Sequence, residues 1–287
     1  GGDENGYITW FGTDTGLHRL DNRTGEITFF NTKEYLGDKF VRSLFTDSRG
    51  RVWVCTDNGV SVIEDGTPRP YRFGSSPERI DDSIFQCVYE DNKKVLWFGT
   101  EDGLLRSQGP DHFLFTVQHG LIDNLIYSVM EDDKGFLWLG GRSGVIRINK
   151  KDLEDLAANN RKHSGKKIEP DWYNESDGMK SRWCTGPGFK SRDGRHWYST
   201  SVGVAVIDPE TVEKDTSPLP VIIEKLVVDG AEVNTDRGTG EPGNKILELG
   251  PGKKRLEFYY TGLCFSDPKK VKFKIRLLGF DNQWVAV

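Results

Sequence analysis

The sequence predicts an all-β fold: β-propeller blades, about five repeats belonging to a larger propeller, followed by part of an immunoglobulin-like β-sandwich. Three observations carry this. A phrase opened by Trp and closed by Gly occurs five times, at Trp10–Gly16, Trp53–Gly59, Trp97–Gly103, Trp138–Gly144 and Trp197–Gly203. The tryptophans are spaced by 43, 44, 41 and 59 residues, and four-stranded propeller blades have a period in the forties. Past residue 215 the phrase stops and short alternating apolar runs take over, the pattern of a sandwich.

Each repeat unit divides into strands and turns. Val41–Thr46 is a β-type run, Asp47–Gly50 has turn chemistry, and Arg51–Thr56 is a second strand that holds the Trp. Asp57-Asn58-Gly59 closes a hairpin onto Val60–Ile63. The same order recurs over Ile84–Tyr89, Val95–Thr100 and Leu104–Ser107, and over Ile126–Met130, Phe136–Gly140 and Val145–Ile148. Fourth strands are expected at Ile27–Asn31, Arg69–Phe73 and His112–Phe115. The simplest role for all five tryptophans is packing between blades, since a blade cannot bury both faces alone. The first copy has no strand before Trp10, so the expectation is a fragment of a longer propeller.

Between the fourth and fifth copies lies an insertion. Lys151–Asn160 carries Leu153, Leu156 and Ala157 at helical spacing, Arg161–Lys167 is a basic loop, and the segment from Asp171 to Cys184 leads into a strand at Phe189–Ser191. Thr216–Pro220 is a linker, which gives domains of 1–215 and 216–287. In the second, Val221–Val228, Lys245–Leu249, Arg255–Tyr260 and Val271–Leu277 read as strands. Asn234–Asn244 is a Gly-rich loop, and Val271, Phe273, Ile275 and Leu277 are expected to face inward.

Composition narrows the function. The net charge of −5 is spread along the chain without a basic stripe, which disfavours nucleic acid. No apolar run approaches the 18 residues of a membrane helix, so no membrane contact is expected within the chain. The five histidines show no metal-ligand spacing, and no metal or cofactor is expected. His196 reads as a satisfied structural residue. Asp81-Asp82 and Asp132-Asp133 lie at turns, where Asp bonds to backbone, and no nucleophile elbow or phosphate loop occurs. No catalytic residue is assigned. Cys55, Cys87, Cys184 and Cys264 fall in different units and read as buried free thiols, although a disulfide among them stays open.

Ile126-Tyr-Ser-Val-Met-Glu-Asp-Asp-Lys-Gly-Phe-Leu-Trp-Leu-Gly-Gly-Arg-Ser-Gly-Val-Ile-Arg-Ile148 resembles the two-component regulator propeller repeat. Asp177–Cys184, with Asp193-Gly-Arg-His-Trp197 and Gly203–Pro209, resembles the last blade of that family. Leu256–Pro268 and Phe273–Trp284 resemble the start of the three-tyrosine sandwich domain that follows it. Cys55, Lys94 and Ile275 depart from the family pattern, standing where Gly, Gly and Tyr are usual. The resemblance implies a periplasmic, non-catalytic sensor region of a membrane receptor. Such receptors act as homodimers, respond to a ligand such as an oligosaccharide, and carry a histidine kinase or diguanylate cyclase beyond the membrane.

A ligand site belongs on loops, and the inserted segment is unlike the other copies. It places Trp172, Tyr173, Asn174, Lys180, Arg182 and Trp183 within a dozen residues. Aromatic faces stack on sugars, and Arg, Lys and Asn bond hydroxyls or acidic groups. Arg142 occupies the variable position of the fourth phrase and joins the set. The alternative role for Trp172 and Trp183 is to pack the long connection onto the last blades. Two other function classes stay open. One is a protein-interaction scaffold. The other is a carbohydrate-active propeller enzyme, since Asp133–Trp138 superficially resembles the Asp-box of sialidases, with Arg142, Arg182 and Arg195 as a conceivable triad.

Overall fold

The structure is a computed structural model and describes residues 7–31, 34–74, 80–159, 167–212, 220–233, 251–252, 255–262, 271 and 273–287. The chain forms two units, Gly1–Glu213 and Lys214–Val287.

The first unit is a succession of five antiparallel sheets, the blades. Blade 1 holds β1 (Ile8–Gly12), β2 (Leu17–Asp21) and β3 (Ile27–Phe30). Blade 2 holds β4 (Val41–Thr46), β5 (Val52–Thr56), β6 (Val60–Glu64) and β7 (Thr67–Tyr71). Blade 3 holds β8 (Phe85–Glu90), β9 (Leu96–Thr100), β10 (Leu104–Gln108) and β11 (Asp111–Phe115). Blade 4 holds β12 (Ile126–Glu131), β13 (Phe136–Gly141), β14 (Gly144–Asn149) and β15 (Asp171–Tyr173), with helix α1 (Lys150–Asn159) between the last two strands. Blade 5 holds β16 (Cys184–Lys190), β17 (His196–Thr200) and β18 (Gly203–Ile207). The inner strands β4, β8, β12 and β16 pack side by side, and β16 also reaches β8, so they converge on a common axis.

One turn recurs before each Trp strand of blades 2 to 4. The carboxylate of Asp47 accepts the Trp53 indole N–H at 2.9 Å and the backbone N–H groups of Arg49 and Arg51. Asp91 does the same for Trp97 at 3.1 Å, and Asp132 for Trp138 at 2.8 Å. Blade 5 has Ser191 in this place, and its hydroxyl takes the Trp197 indole N–H at 3.0 Å. Three residues after the acid, or after Ser191 in blade 5, the backbone is left-handed: φ is 78° at Gly50, 82° at Gly135 and 86° at Gly194. Lys94 occupies that position in blade 3 with φ of 64°, so it stands in a Gly's place at a conformational cost.

An aromatic of the fourth-strand level closes the other side of each indole. Phe30, Tyr71, Phe115 and Tyr173 lie 5.8, 4.9, 6.3 and 5.5 Å from Trp10, Trp53, Trp97 and Trp138. In blades 1, 3 and 4 the glycine that ends the phrase lets this strand approach. A Cβ on Gly103 would stand 2.0 Å from the Phe115 carbonyl oxygen, and one on Gly144 2.2 Å from that of Tyr173. Trp10, Trp53, Trp97 and Trp138 are thereby buried, at 5% exposure or less. Trp197 departs from the expected role: it is 37% exposed, beside exposed Phe189, Val204 and Val206. Its blade has three strands and, among the described residues, no sheet over that face.

In the second unit β19 (Val221–Val228) lies between β20 (Ala231–Val233) and β21 (Leu256–Gly262), and β22 (Lys274–Ile275) pairs with β23 (Val285–Ala286). The strand expected over Val271–Leu277 is therefore shorter. A turn ends it, with Leu277 O accepting from Phe280 and Asp281 and the Asp281 carboxylate accepting from Leu277 N. Ile275 and Leu277 are 46% and 50% exposed rather than inward, because alternation buries a face only where a second layer covers it. Val271 and Phe273 are half-buried, and the Phe273 ring lies 4.9 Å from that of Tyr260 on β21, so the expected inward face holds only at the start of the segment. The loop at 234–244, the strand at 245–249, most of the 216–220 linker, 161–166 and Cys264 lie outside the described residues.

The Lys94→Gly variant is expected to raise the unfolding free energy by about 0.5–1 kcal/mol, measured by denaturant unfolding monitored through tryptophan fluorescence. A loss of stability would show that the Lys side chain makes contacts that outweigh its backbone strain.

Candidate functional site

The fixed Asp–Trp turn sits at one end of blades 2, 3 and 4, with its Ser191 counterpart in blade 5, so variation is free to gather at the other end. There the residue after the phrase threonine, or its equivalent, differs from blade to blade: Asp57, Glu101, Arg142 and Ser201. Its backbone is nevertheless held alike. The N–H groups of Asp57, Glu101 and Ser201 donate to the carbonyls of Phe40, Ile84 and Trp183 at 3.3, 3.2 and 3.0 Å. The residue entering the inner strand thus lies beside the hairpin turn, and together they form a rim.

Two rim positions expose an aromatic under a guanidinium. Trp183 is 46% exposed, with the Arg142 guanidinium 5.8 Å from its ring centroid. Phe40 is 37% exposed, with Arg42 at 4.4 Å, and Arg42 also forms a two-point ion pair with Asp57. Arg142 makes no ion pair among the described residues, so its five donors remain open to a ligand. Sequence reasoning had picked Arg142 and Trp183 but missed Phe40, Arg42 and Asp57. The available signal was the repeat position of Phe40 and Asp57, equivalent to those of Trp183 and Arg142; Arg42 stands at neither.

The remaining sequence candidates separate into two groups. Trp172 and Tyr173 lie within β15 as framework of blade 4: Trp172 donates its indole N–H to Ser143 O at 2.8 Å, and Tyr173 stacks on Trp138. Asn174 is buried and caps the turn Glu175–Asp177, accepting from Ser176 N at 2.8 Å. Lys180 is exposed, and Arg182 is exposed with Glu175 as its partner at 3.9 Å. The structure therefore brings Arg142 to Trp183, next in sequence to Arg182.

The constellations weighed for catalysis are dispersed. Arg195 pairs with Asp193 in the turn at the opposite end of β17 from Ser201, and so does not join Arg142 and Arg182. Asp132 is occupied by Trp138. Asp133 pairs with Lys190 at 2.8 Å, whose hydrogen bond and charge hold its carboxyl below the usual range. Cys55, Cys87 and Cys184 are buried with free thiols. Burial pushes the Cys87 and Cys184 thiols up to about 12 and about 11, and Cys55 further, so the nucleophilic thiolate is scarce at neutral pH. Among the described residues no group of His, Cys, Asp and Glu is placed to hold a metal.

His196 is fully buried against Trp138, as a structural residue, but it is not satisfied: neither ring nitrogen has a hydrogen-bond partner among the described residues. Burial, then the Lys190 cation, lowers its pKa to about 4 against opposing pulls from Asp132 and Asp133.

These features define a β-propeller protein with a constant end and a variable rim. Three segments, residues 35–58, 79–102 and 120–143, match the two component regulator propeller family, and they fall in blades 2, 3 and 4. No curated protein matches the chain. Among solved structures, it resembles the extracellular domain of BT3049 from B. thetaiotaomicron, assigned there as a hybrid two component system. The identity is 21%, the TM-score 0.67, and the match covers 99% of this chain and 38% of that one. The extracellular domain of BT4673 from the same organism, assigned as a one component system, shares 19% identity over 78% of this chain and 39% of its own, with a TM-score of 0.48. Virginiamycin B lyase from Staphylococcus aureus shares 16% identity over 72% of this chain and 68% of its own, also with a TM-score of 0.48. The chain thus spans about two fifths of the length of the two extracellular domains.

A His with a folded pKa below its unfolded value of about 6.5 binds fewer protons folded than unfolded between the two values. Its contribution is intact above pH 6.5 and is lost as pH falls toward 4. The wild type is expected to lose up to about 3 kcal/mol more stability over that window than His196→Phe, measured by urea unfolding at a series of pH values. Parallel pH profiles would contradict the assignment.

Proposed function

We propose that this chain is the sensory part of a two-component-type receptor, extracytoplasmic and most simply periplasmic, without catalysis of its own. Its ligand is an oligosaccharide, held at the rim where Trp183 offers a stacking face and Arg142, with Lys180 and Arg182 nearby, offers donors. The exposed Trp183–Arg142 pair is the observation that carries this reading. A large aromatic left open to water beside an unpaired guanidinium has a use in binding and none in the core. The two-component regulator propeller repeats support the sensor class, and the dispersed arginines and inert thiols support a binding role over an enzymatic one.

In a homodimeric receptor the ligand would act by favouring one arrangement of the segments that follow the propeller. It can shift that equilibrium only by its differential affinity for the two arrangements. The three-tyrosine resemblance of the second unit supplies the route for the signal. A scaffold role is the second reading, favoured by the exposed apolar face of Phe189, Trp197, Val204 and Val206 on blade 5, since rimmed apolar patches of this kind receive protein partners.

Retention of the chain on an array of neutral and acidic oligosaccharides checks the proposal. Trp183→Ala and Arg142→Ala are each expected to weaken binding of the retained sugars by about tenfold or more, or about 1.4 kcal/mol. Unchanged affinity in either variant would remove the rim from consideration.

A further inference from the structure

The inner strands carry a second variable position at the same end of the blades. In blade 2 the pairing register steps from Val41 opposite Thr56 to Ser43 opposite Cys55, which leaves Arg42 without a cross-strand partner. Blade 3 repeats the step between Phe85 and Cys87 around Gln86, and blade 4 between Ile126 and Ser128 around Tyr127. The same β-bulge therefore occurs three times, one residue into the strand nearest the axis. In blade 5 the irregularity widens to the stretch between Cys184 and Gly188. A bulge takes a residue out of the ladder and re-aims its side chain, and bulges gather next to sites of function.

The flanking positions show what the bulges are not for. Val41, Phe85 and Ile126 are buried and apolar, and Ser43, Cys87 and Ser128 are small, so the core on either side is nearly uniform. The bulged residue alone changes chemistry from blade to blade: a cation, an amide and a phenol. Gln86 and Tyr127 are half-buried, and neither the amide nor the hydroxyl has a hydrogen-bond partner among the described residues. Arg42 bonds Asp57, the rim residue of its own blade, which shows that the bulge position and the hairpin position meet.

We infer that the bulge and hairpin positions of each blade act as a pair, and that the three pairs form a collar around the axial mouth which selects a carboxylate-bearing oligosaccharide. This rests on the proposed sugar-binding role of the rim and deepens it. The pairs differ in polarity. Arg42 with Asp57 is self-neutralised. Gln86 with Glu101 is rich in acceptors and suits sugar hydroxyls. Tyr127 with Arg142 is rich in donors, carries an unpaired guanidinium, and stands beside the Trp183 face. A carboxylate placed on Arg142 and Tyr127 directs its neighbouring hydroxyls toward Gln86 and Glu101, and the geometry of a planar guanidinium suits a carboxylate at two points.

The test uses the full 287-residue chain on an array of neutral and uronate-containing oligosaccharides of matched length, with Gln86→Ala, Tyr127→Phe and Trp183→Ala alongside the wild type. The collar predicts preferential retention of uronate members, a loss of about tenfold in Trp183→Ala, and a loss of at least about fivefold with altered ranking of array members in Gln86→Ala and Tyr127→Phe. If Trp183→Ala loses binding while both bulge variants keep affinity and ranking within about twofold, the collar is overturned and the rim function stands. If neutral and acidic sugars are held equally, the carboxylate assignment is overturned. If no sugar is retained, or Trp183→Ala has no effect, the proposed function fails and the collar falls with it.

Discussion

A buried carboxylate that receives an indole N–H is the contact on which blades 2, 3 and 4 depend. Asp47 and Asp91 have fully buried side chains, and each bonds the Trp six residues on together with two backbone N–H groups of its own turn. A buried charge is costly unless it is fully hydrogen-bonded, and here the turn supplies the bonds. At Asp47 burial opposes ionisation, but the bonds from Trp53, Arg51 and Arg49 outweigh it and hold the carboxyl below its ordinary range. The carboxylate thereby fixes the turn, the turn fixes the start of the strand, and the strand delivers the indole to the interface with the next blade.

Neighbouring blades are tied at the same end. Lys150, buried between blades 3 and 4, reaches Asp91 at 3.3 Å and Glu131, while Tyr89 donates to Glu131 at 3.1 Å. Lys93 adds a pair to Glu154 on α1 at 2.9 Å. Truncating one member of such a buried cluster is strongly destabilising, since it strands the others. With this end committed to stability, the opposite end can vary its hairpin and bulge residues at little cost to the fold. That division explains why exposed aromatics and an unpaired guanidinium collect at one rim.

The repeat was legible because it is local and periodic. Trp phrases, Asp-led turns and the helix near residues 150–159 all appear in the chain as spacing, and Lys94 was readable as a stand-in for Gly. Tyr173 was not readable in this way. The insertion that carries α1 displaces it from the expected fourth-strand interval, so it looked like a loop aromatic although it occupies the place of Phe30, Tyr71 and Phe115. Trp197 misled for the opposite reason: its phrase is intact, but burial depends on a partner sheet that spacing does not encode. The bulges at Arg42, Gln86 and Tyr127 were silent because a one-residue register step leaves no mark in composition, whereas the exposed Phe40 lies outside the phrase and shows only through its repeat position. In the second unit, alternation at Val271–Leu277 was outweighed by a local turn around Asp281.

Hydrogen exchange at the tryptophan indole N–H groups, followed by NMR on the assigned chain, tests the central contact most directly. The account predicts that Trp53, Trp97 and Trp138 exchange at least about a hundredfold more slowly than Trp183 and Trp197, because opening the blade is required to free a buried, carboxylate-bonded indole. Exchange of all five at the rate of an exposed indole would contradict it.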